Sequence, residues 1–403
     1  MRVLQIVPYY PPAWGYGGPP RIMYSIAKTL VDHGHQVSVY TTDAYQKNIR
    51  VGVRKDDLDG IKVFYFKNIS NYLAWNKKKF FPLGFRSFLK KTVGDFDIIH
   101  ISGIRNYLNL VVYPVIKKNK IPYVIDAHGS LPVATQWLKG FAKIYDRFFV
   151  KPLLRDADLL LAQTQHEVEM YKSLGGREKN IKIVPLSIDL KEFSDLPVKG
   201  TFRQRYRIRD EDKIITFLGR INQGKGVNLV LSIFRELAAR ENKLKLVIIG
   251  RDDGYLDEIQ KMVRDYQIEK NVIFTGPLYG REKLSAYVDT DLFLFTPTYW
   301  EETSTASLEA MACYTPVIVS KQAEIPYLTE YQAGFCLEYD QNKIVGKARE
   351  ILGDNKKQQQ YGLNARRLVQ DRFNIEKTIP RLEKLFVHAA KQRIEGANEG
   401  CLK

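Results

Sequence analysis

Apolar residues in this chain fall into short β-rich runs separated by stretches with helical spacing. Before Leu190 the runs are VLQIVPY, QVSVYTT, IKVFYF, DIIHIS, PYVIDA, DLLLAQT and IKIVP. Strands alternating with helices predict a parallel sheet covered by helices. The stretch KEFSDLPVKGTFRQRY, from Lys191 to Tyr206, has no period and contains Pro197 and Gly200, so the domain junction is expected there. A second series follows: KIITFLGR, the helix-like NLVLSIFRELAAR, KLVIIG, NVIFTG, DLFLFTPT and TPVIVS. The pattern therefore predicts an α/β protein with domains at 1–190 and 191–373. A last helical stretch, IEKTIPRLEKLFVHAAKQR, is expected to pack back on the first domain over 374–395 and to kink or restart at Pro380.

A length of 403 residues agrees with two domains rather than one core. Apolar residues at 45% and charged residues at 27% are those of a globular protein and exclude a disordered chain. Cys313, Cys336 and Cys401 are far apart and form no CxxC or Cys/His cluster, which argues against a disulfide framework or a zinc site and for a reducing cytoplasm. The opening MRVLQIVPYYPPAWG breaks at Pro8 and lacks a cleavage site, so no secretion signal is expected. No apolar stretch approaches the roughly 18 residues of a spanning helix, so any membrane contact is expected at the surface.

Charge sharpens that expectation. Of the net +17, residues 1–200 carry +13, and between Gly60 and Gly94 eight cations (Lys62, Lys67, Lys77, Lys78, Lys79, Arg86, Lys90, Lys91) meet no acidic residue. Such a field favours a polyanion or an anionic membrane. Within it, residues 71–91 mix Trp75, Phe80, Phe81, Phe85 and Phe88 with lysines. Two readings are open: a helix face packed on its own domain, or an interfacial segment with aromatics at lipid headgroups and cations on anionic lipid.

Three loops carry candidate chemistry. TPTYWEETSTASLEAMACYTPVIVS reads as strand, polar loop, short helix and strand. Thr303 or Ser304 can cap a helix starting near Thr305, whose free N–H groups suit a diphosphate. Glu301 precedes that site and Glu309 lies about one turn inside the helix, so the two would flank a bound diphosphate; alternatively they are a loop charge and a solvated helix residue. In FLGRINQGKG a buried strand ends at Gly219, and Arg220 and Lys225 beside Gly224 and Gly226 can clamp phosphate oxygens. The GxxxxGK[ST] pattern of a P-loop is absent. In the opening loop Gly15, Gly17 and Gly18 precede a helix and can present N–H groups to an anion. Arg21 stands three after Gly18, which fails GxGxxG and disfavours a dinucleotide.

These elements, together with HGHQVSVYTT, DFDIIH and the AHGS loop, resemble glycosyltransferase family 4 over nearly the whole chain. The resemblance implies a GT-B fold, with two Rossmann-like domains facing each other across a cleft, and retaining transfer from a nucleotide-sugar. It implies that Arg220 and Lys225 neutralise the donor diphosphate, that Glu309 binds the ribose, and that Glu301 and His128 lie at the donor sugar. Arg220, Lys225, Glu301 and His128 form the expected catalytic set. The expected donor-binding set adds Gly17, Gly18, Gly250, the backbone at Pro277 and Leu278, Thr303, Ser304, Thr305 and Glu309. No metal or cofactor is implied; the donor is expected to be a UDP- or GDP-sugar. Three departures bear on the donor sugar: Glu302, Thr303 and Ser304 stand where the family often has Gly-Phe-Gly, Tyr314 where it commonly has Gly, and Tyr327 where it commonly has Glu.

The charge on the first domain makes a lipid-linked glycan, such as one on a polyprenyl diphosphate, the expected acceptor, at the cytoplasmic membrane face. A soluble acceptor, a GT-B epimerase and a non-enzymatic polyanion binder are the other readings. Nucleic acid is not expected, because no recognised binding motif accompanies the charge. The D-x-D triplets at Asp95–Asp97, Asp156–Asp158 and Asp289–Asp291 each abut an apolar strand, as turn residues would. His33 and His35 are expected to serve a helix end, and His100 either to be packed or to reach the cleft.

Overall fold

The computed structural model describes residues 1–131 and 143–400, with side chains up to Lys391; Cys401 lies outside these. The chain divides into two compact units, Met1–Ser187 with the chain from Ile375 onward, and Ile188–Asn374.

Unit 1 holds β1 (Arg2–Ile6), β2 (Gln36–Thr42), β3 (Lys55–Leu58), β4 (Ile61–Phe66), β5 (Ile98–Ser102), β6 (Tyr123–Asp126), β7 (Leu159–Ala162) and β8 (Ile181–Ile183). They form one sheet in the order β3-β4-β2-β1-β5-β6-β7-β8. Burial on both faces explains why the central strands read as continuous apolar runs: every residue of β5, β6 and β7 is buried. The exception is β3, which the apolar pattern does not reveal. Its sequence KDDL is almost wholly exposed at the sheet edge and pairs antiparallel with β4.

The C-terminal helix Ile375–Gly400 packs on the Gly18–Asp32 helix and on β5. It runs through Pro380 without interruption, contrary to the expected restart. Proline costs one backbone bond there, and the burial of Ile379, Leu382 and Phe386 holds the helix on both sides of it. Glu383 also anchors it, accepting from His33 Nδ1 at 2.9 Å and His35 Nε2 at 2.8 Å. His100 is packed: it is fully buried, its ring meets the edge of Phe386, and burial pushes its pKa down to about 3.

Unit 2 is a six-stranded parallel sheet of β9 (Lys213–Leu218), β10 (Leu244–Ile249), β11 (Val272–Gly276), β12 (Leu292–Phe295), β13 (Val317–Ser320) and β14 (Gly334–Leu337). Their order is β11-β10-β9-β12-β13-β14. Strand β14 is the unexpected one. It opens on Gly334, where a Cβ would meet the Val317 carbonyl oxygen at 2.1 Å, so glycine lets it approach β13.

The D-x-D carboxylates tie strand beginnings to neighbouring chain. Asp97 accepts from the Arg2 backbone, Asp158 from the Tyr123 backbone, and Asp291 from the Ile214 backbone and Arg203. Asp289 accepts from the backbone of Gly200, Phe202 and Arg203.

Both strand orders reverse direction once, between β1 and β5 in unit 1 and between β9 and β12 in unit 2. Open α/β sheets bind ligands at such points, off the carboxyl ends of the strands. In unit 2 the loops that leave this point are Gly219–Gly226 and Thr296–Ser304.

Candidate functional site

The two unit 2 loops are stitched to each other. Thr298 N donates to the Gly224 carbonyl at 2.9 Å and Thr296 Oγ1 to the Gly226 carbonyl at 3.1 Å. The contact demands glycine: at Gly226 (φ +75°) a Cβ would lie 1.6 Å from the Thr296 carbonyl oxygen, and at Gly250 it would lie 1.7 Å from that of Gly219. Gly250 thus has a packing role that brings the ends of β9 and β10 together.

The two expected phosphate cations lie on this loop. Arg220 donates to Asp253 Oδ2 at 2.7 Å, and Asn222 donates to the same oxygen at 3.1 Å. Lys225 pairs directly with Glu301, and its ammonium lies over the rings of Phe295 and Tyr299. Burial, and next the Arg220 guanidinium, lower the Lys225 pKa, while the Asp253 carboxylate opposes that. A positive charge costly to keep in such a place favours an anionic ligand. The two cations are therefore not free: each is held by a carboxylate, Asp253 or Glu301, and an anion entering here would compete with both.

Ser304 caps the Thr305–Ala312 helix, accepting from Ser307 N, whereas Thr303 Oγ1 turns to the Glu324 carbonyl at 2.9 Å. The cap is thus Ser304. Glu302 and Tyr314 take positive φ, +59° and +62°. These are positions where the resembling family often has glycine, the residue that takes a left-handed backbone at least cost. Glu309 is 7% exposed, which removes the solvated-helix reading. Its Oε1 accepts from Lys283 Nζ at 2.7 Å and its Oε2 from Tyr287 Oη at 3.0 Å. The Leu278 side chain packs among Phe202, Ile214 and Ala286, leaving only its backbone to border a ligand.

In unit 1 the loop after β1 reaches Gly17, whose φ of +106° starts the Gly18–Asp32 helix. Its first turn contains Pro19 and Pro20, which have no N–H, so it offers fewer donors to an anion than its glycines imply. His128 takes φ +47°, and its side chain is 5% exposed. Its Nδ1 lies 3.1 Å from Asp126 and 3.3 Å from Gln163 Nε2, and its Nε2 lies 3.3 Å from Met23 Sδ. It lines a small cavity with Ile22, Thr378 and Leu382.

Residues 71–91 depart from the interfacial expectation in their aromatics. Phe80 and Phe85 are buried, Phe88 packs on the sheet core, Trp75 meets Tyr16 and Phe81 meets Tyr107. A ring facing its own domain cannot sit among headgroups. The exposed apolar residues here are Tyr72 and Leu83, among exposed Lys77, Lys78, Lys79, Arg86, Lys90 and Lys91. Among the described residues no helix is long and apolar enough to cross a membrane.

Asp253, Lys283 and Tyr287 escaped the sequence reading. The one signal in the sequence was spacing: Lys283 and Tyr287 are four apart on the Gly280–Asp289 helix and so share a face.

Two α/β sheets, parallel but for β3, with ligand loops at their switch points and a glycine-rich basic loop beside two carboxylates, fit a GT-B glycosyltransferase. The comparisons agree. Residues 16–192 match the family model "Glycosyltransferase Family 4" and residues 198–368 match "Glycosyl transferases group 1". The chain belongs to this glycosyltransferase family. It is 24% identical over 331 residues to alpha-monoglucosyldiacylglycerol synthase of Streptococcus pneumoniae, covering 80% of this chain and 72% of the relative. It is 29% identical over 256 residues to D-inositol 3-phosphate glycosyltransferase of Corynebacterium jeikeium, covering 60% and 59%. Among solved structures, sucrose-phosphate synthase from Thermosynechococcus elongatus has a TM-score of 0.74 at 18% identity, covering 96% of this chain and 98% of that one. HepE of Anabaena in complex with UDP and glucose has 0.72 at 18%, covering 95% and 98%.

Proposed function

We propose that this chain transfers a sugar from a UDP- or GDP-sugar to a glycan acceptor with retention of anomeric configuration. The observation that carries this reading is the pair Arg220 and Lys225 at the unit 2 switch point, with Lys225 on Glu301, which shortly precedes the helix that Ser304 caps. Breaking the sugar C1–O bond leaves negative charge on the nucleoside diphosphate. Two cations and a helix N-terminus fixed on neighbouring loops stabilise that charge once the cations exchange their carboxylate partners for it.

In this reading Arg220 and Lys225 leave Asp253 and Glu301 for the diphosphate, and Glu309 receives the ribose. Freed from Lys225, Glu301 is available to sugar hydroxyls, with Thr303, Ser304 and Thr305 supplying backbone donors. No side chain of this set is assigned as a covalent nucleophile. The acceptor attacks from the face the diphosphate leaves, and the departing phosphate takes the proton. Unit 1 is the acceptor-binding domain in this reading. The cations of the anion pocket supply the charge a metal ion would otherwise bring.

Slow hydrolysis of the donor tests this without a known acceptor. Incubated with UDP- and GDP-sugars, the chain should cleave one of them and release sugar of unchanged anomeric configuration, read by proton NMR before mutarotation. Inverted product would exclude the retaining mechanism.

For the acceptor we favour a lipid-linked glycan, on a polyprenyl diphosphate or a comparable anionic lipid, reached from the cytoplasmic membrane face. The support is the acid-free basic surface of residues 71–91 with Tyr72 and Leu83 exposed, and the glucosylated diacylglycerol in the name of the Streptococcus relative. The chain should sediment with vesicles containing 30% phosphatidylglycerol at low salt, and binding should fall at least fivefold in Lys77→Glu/Lys79→Glu. No sedimentation at low salt would exclude the membrane contact.

A further inference from the structure

Glu309 is held from one side by two donors on a single helix. Lys283 Nζ reaches one carboxylate oxygen at 2.7 Å and Tyr287 Oη reaches the other at 3.0 Å. Tyr287 is fully buried, and its backbone carbonyl is fixed in turn by Thr315 Oγ1 at 2.8 Å. The Lys283 and Glu309 side chains are only 12% and 9% exposed. A carboxylate has about four acceptor positions. Two are used by these donors, and each oxygen keeps one. The plane of the carboxylate is fixed as well, because a donor on each oxygen stops it rotating about its last bond.

We propose that Lys283 and Tyr287 are positioning residues that set Glu309 to accept from two vicinal hydroxyls of the donor's ribose, and so make the site select ribonucleotides over deoxyribonucleotides. The inference rests on the donor reading above and extends it. A diol presents two O–H groups at a fixed spacing, and a carboxylate with one open position per oxygen and a locked plane receives both. A carboxylate free to rotate would follow a single hydroxyl and discriminate less. Buried polar groups left unpaired are the strongest source of such selectivity. When a deoxyribose binds, the Glu309 oxygen facing the missing hydroxyl loses its partner and is too buried to recruit water freely.

The test measures dissociation constants by calorimetry for whichever of UDP, GDP and ADP binds the intact chain most tightly, and for its 2′-deoxy counterpart. The intact chain should prefer the ribonucleotide by about 30-fold. In Tyr287→Phe, which keeps the ring and its packing, the preference should fall to about fivefold, and in Lys283→Met to about threefold. Lys283→Arg should restore most of it, and thermal unfolding should show each variant folded. Preference kept at full size in both Tyr287→Phe and Lys283→Met would overturn the proposal while leaving the donor site standing. If no nucleotide binds the intact chain, the proposal and the donor reading fall together.

Discussion

Replacing Arg220 by alanine should lower kcat/KM for the preferred nucleotide-sugar by a factor of 10² to 10³, and Lys225→Ala should do the same. These are the losses, about 2.7–4 kcal/mol, seen when one preorganised donor to a developing negative charge is removed. The reason is specific to this loop. The Gly224–Gly226 segment is locked to Thr296 and Thr298, so the backbone that carries Lys225 is fixed in place. Lys225→Ala also leaves Glu301 without the ammonium that pairs with it, in the place where the diphosphate is expected, and that repulsion adds to the loss. The double variant should fall short of the product of the two single effects, because both act on one leaving group. Steady-state kinetics checks this; a loss under threefold in both single variants would mean that the pair does not carry the leaving-group charge.

The second large effect is on stability. Gly226→Ala should destabilise unit 2 by about 3–5 kcal/mol, in the range of overpacking combined with backbone strain, and lower its Tm by roughly 10 °C. The added Cβ would be driven against a backbone oxygen, that of Thr296, which cannot move without breaking the end of β12. Gly254 separates the two causes: its φ is +87°, but nothing lies within 4 Å of a Cβ there. Gly254→Ala should therefore cost only the strain of a left-handed residue, about 1–2 kcal/mol. Calorimetric unfolding of both variants makes the comparison, and equal losses would mean that the Gly226 contact contributes nothing.

What could be read in the sequence follows from burial. Strands buried on both faces announce themselves as apolar runs, which is why β5, β7, β9 and β12 were legible. The polar edge strand β3 and the glycine-led β14 were not, because nothing in KDDL or GFCL demands a strand until a neighbour is known. Arg220 and Lys225 were legible as candidates because glycine and basic residues follow a buried strand directly. The pairing of Arg220 with Asp253 was not: the two lie 33 residues apart, and no local pattern links them. The same holds for Lys283 and Glu309, 26 residues apart and joined only by the packing of two helices. The aromatics of 71–91 show the opposite failure. Composition gave aromatic and basic residues together but not the direction of each ring, and Phe80 and Phe85 turn inward.

Titration of the intact chain and of Glu309→Ala with UDP, GDP and ADP tests the central claim most directly, since a ligand stabilises the folded state it binds. The account predicts that one of the three nucleotides binds one-to-one, raises the unfolding temperature of the intact chain, and binds at least tenfold more weakly to Glu309→Ala. Absence of binding by all three to the intact chain, or equal binding by the variant, would contradict it.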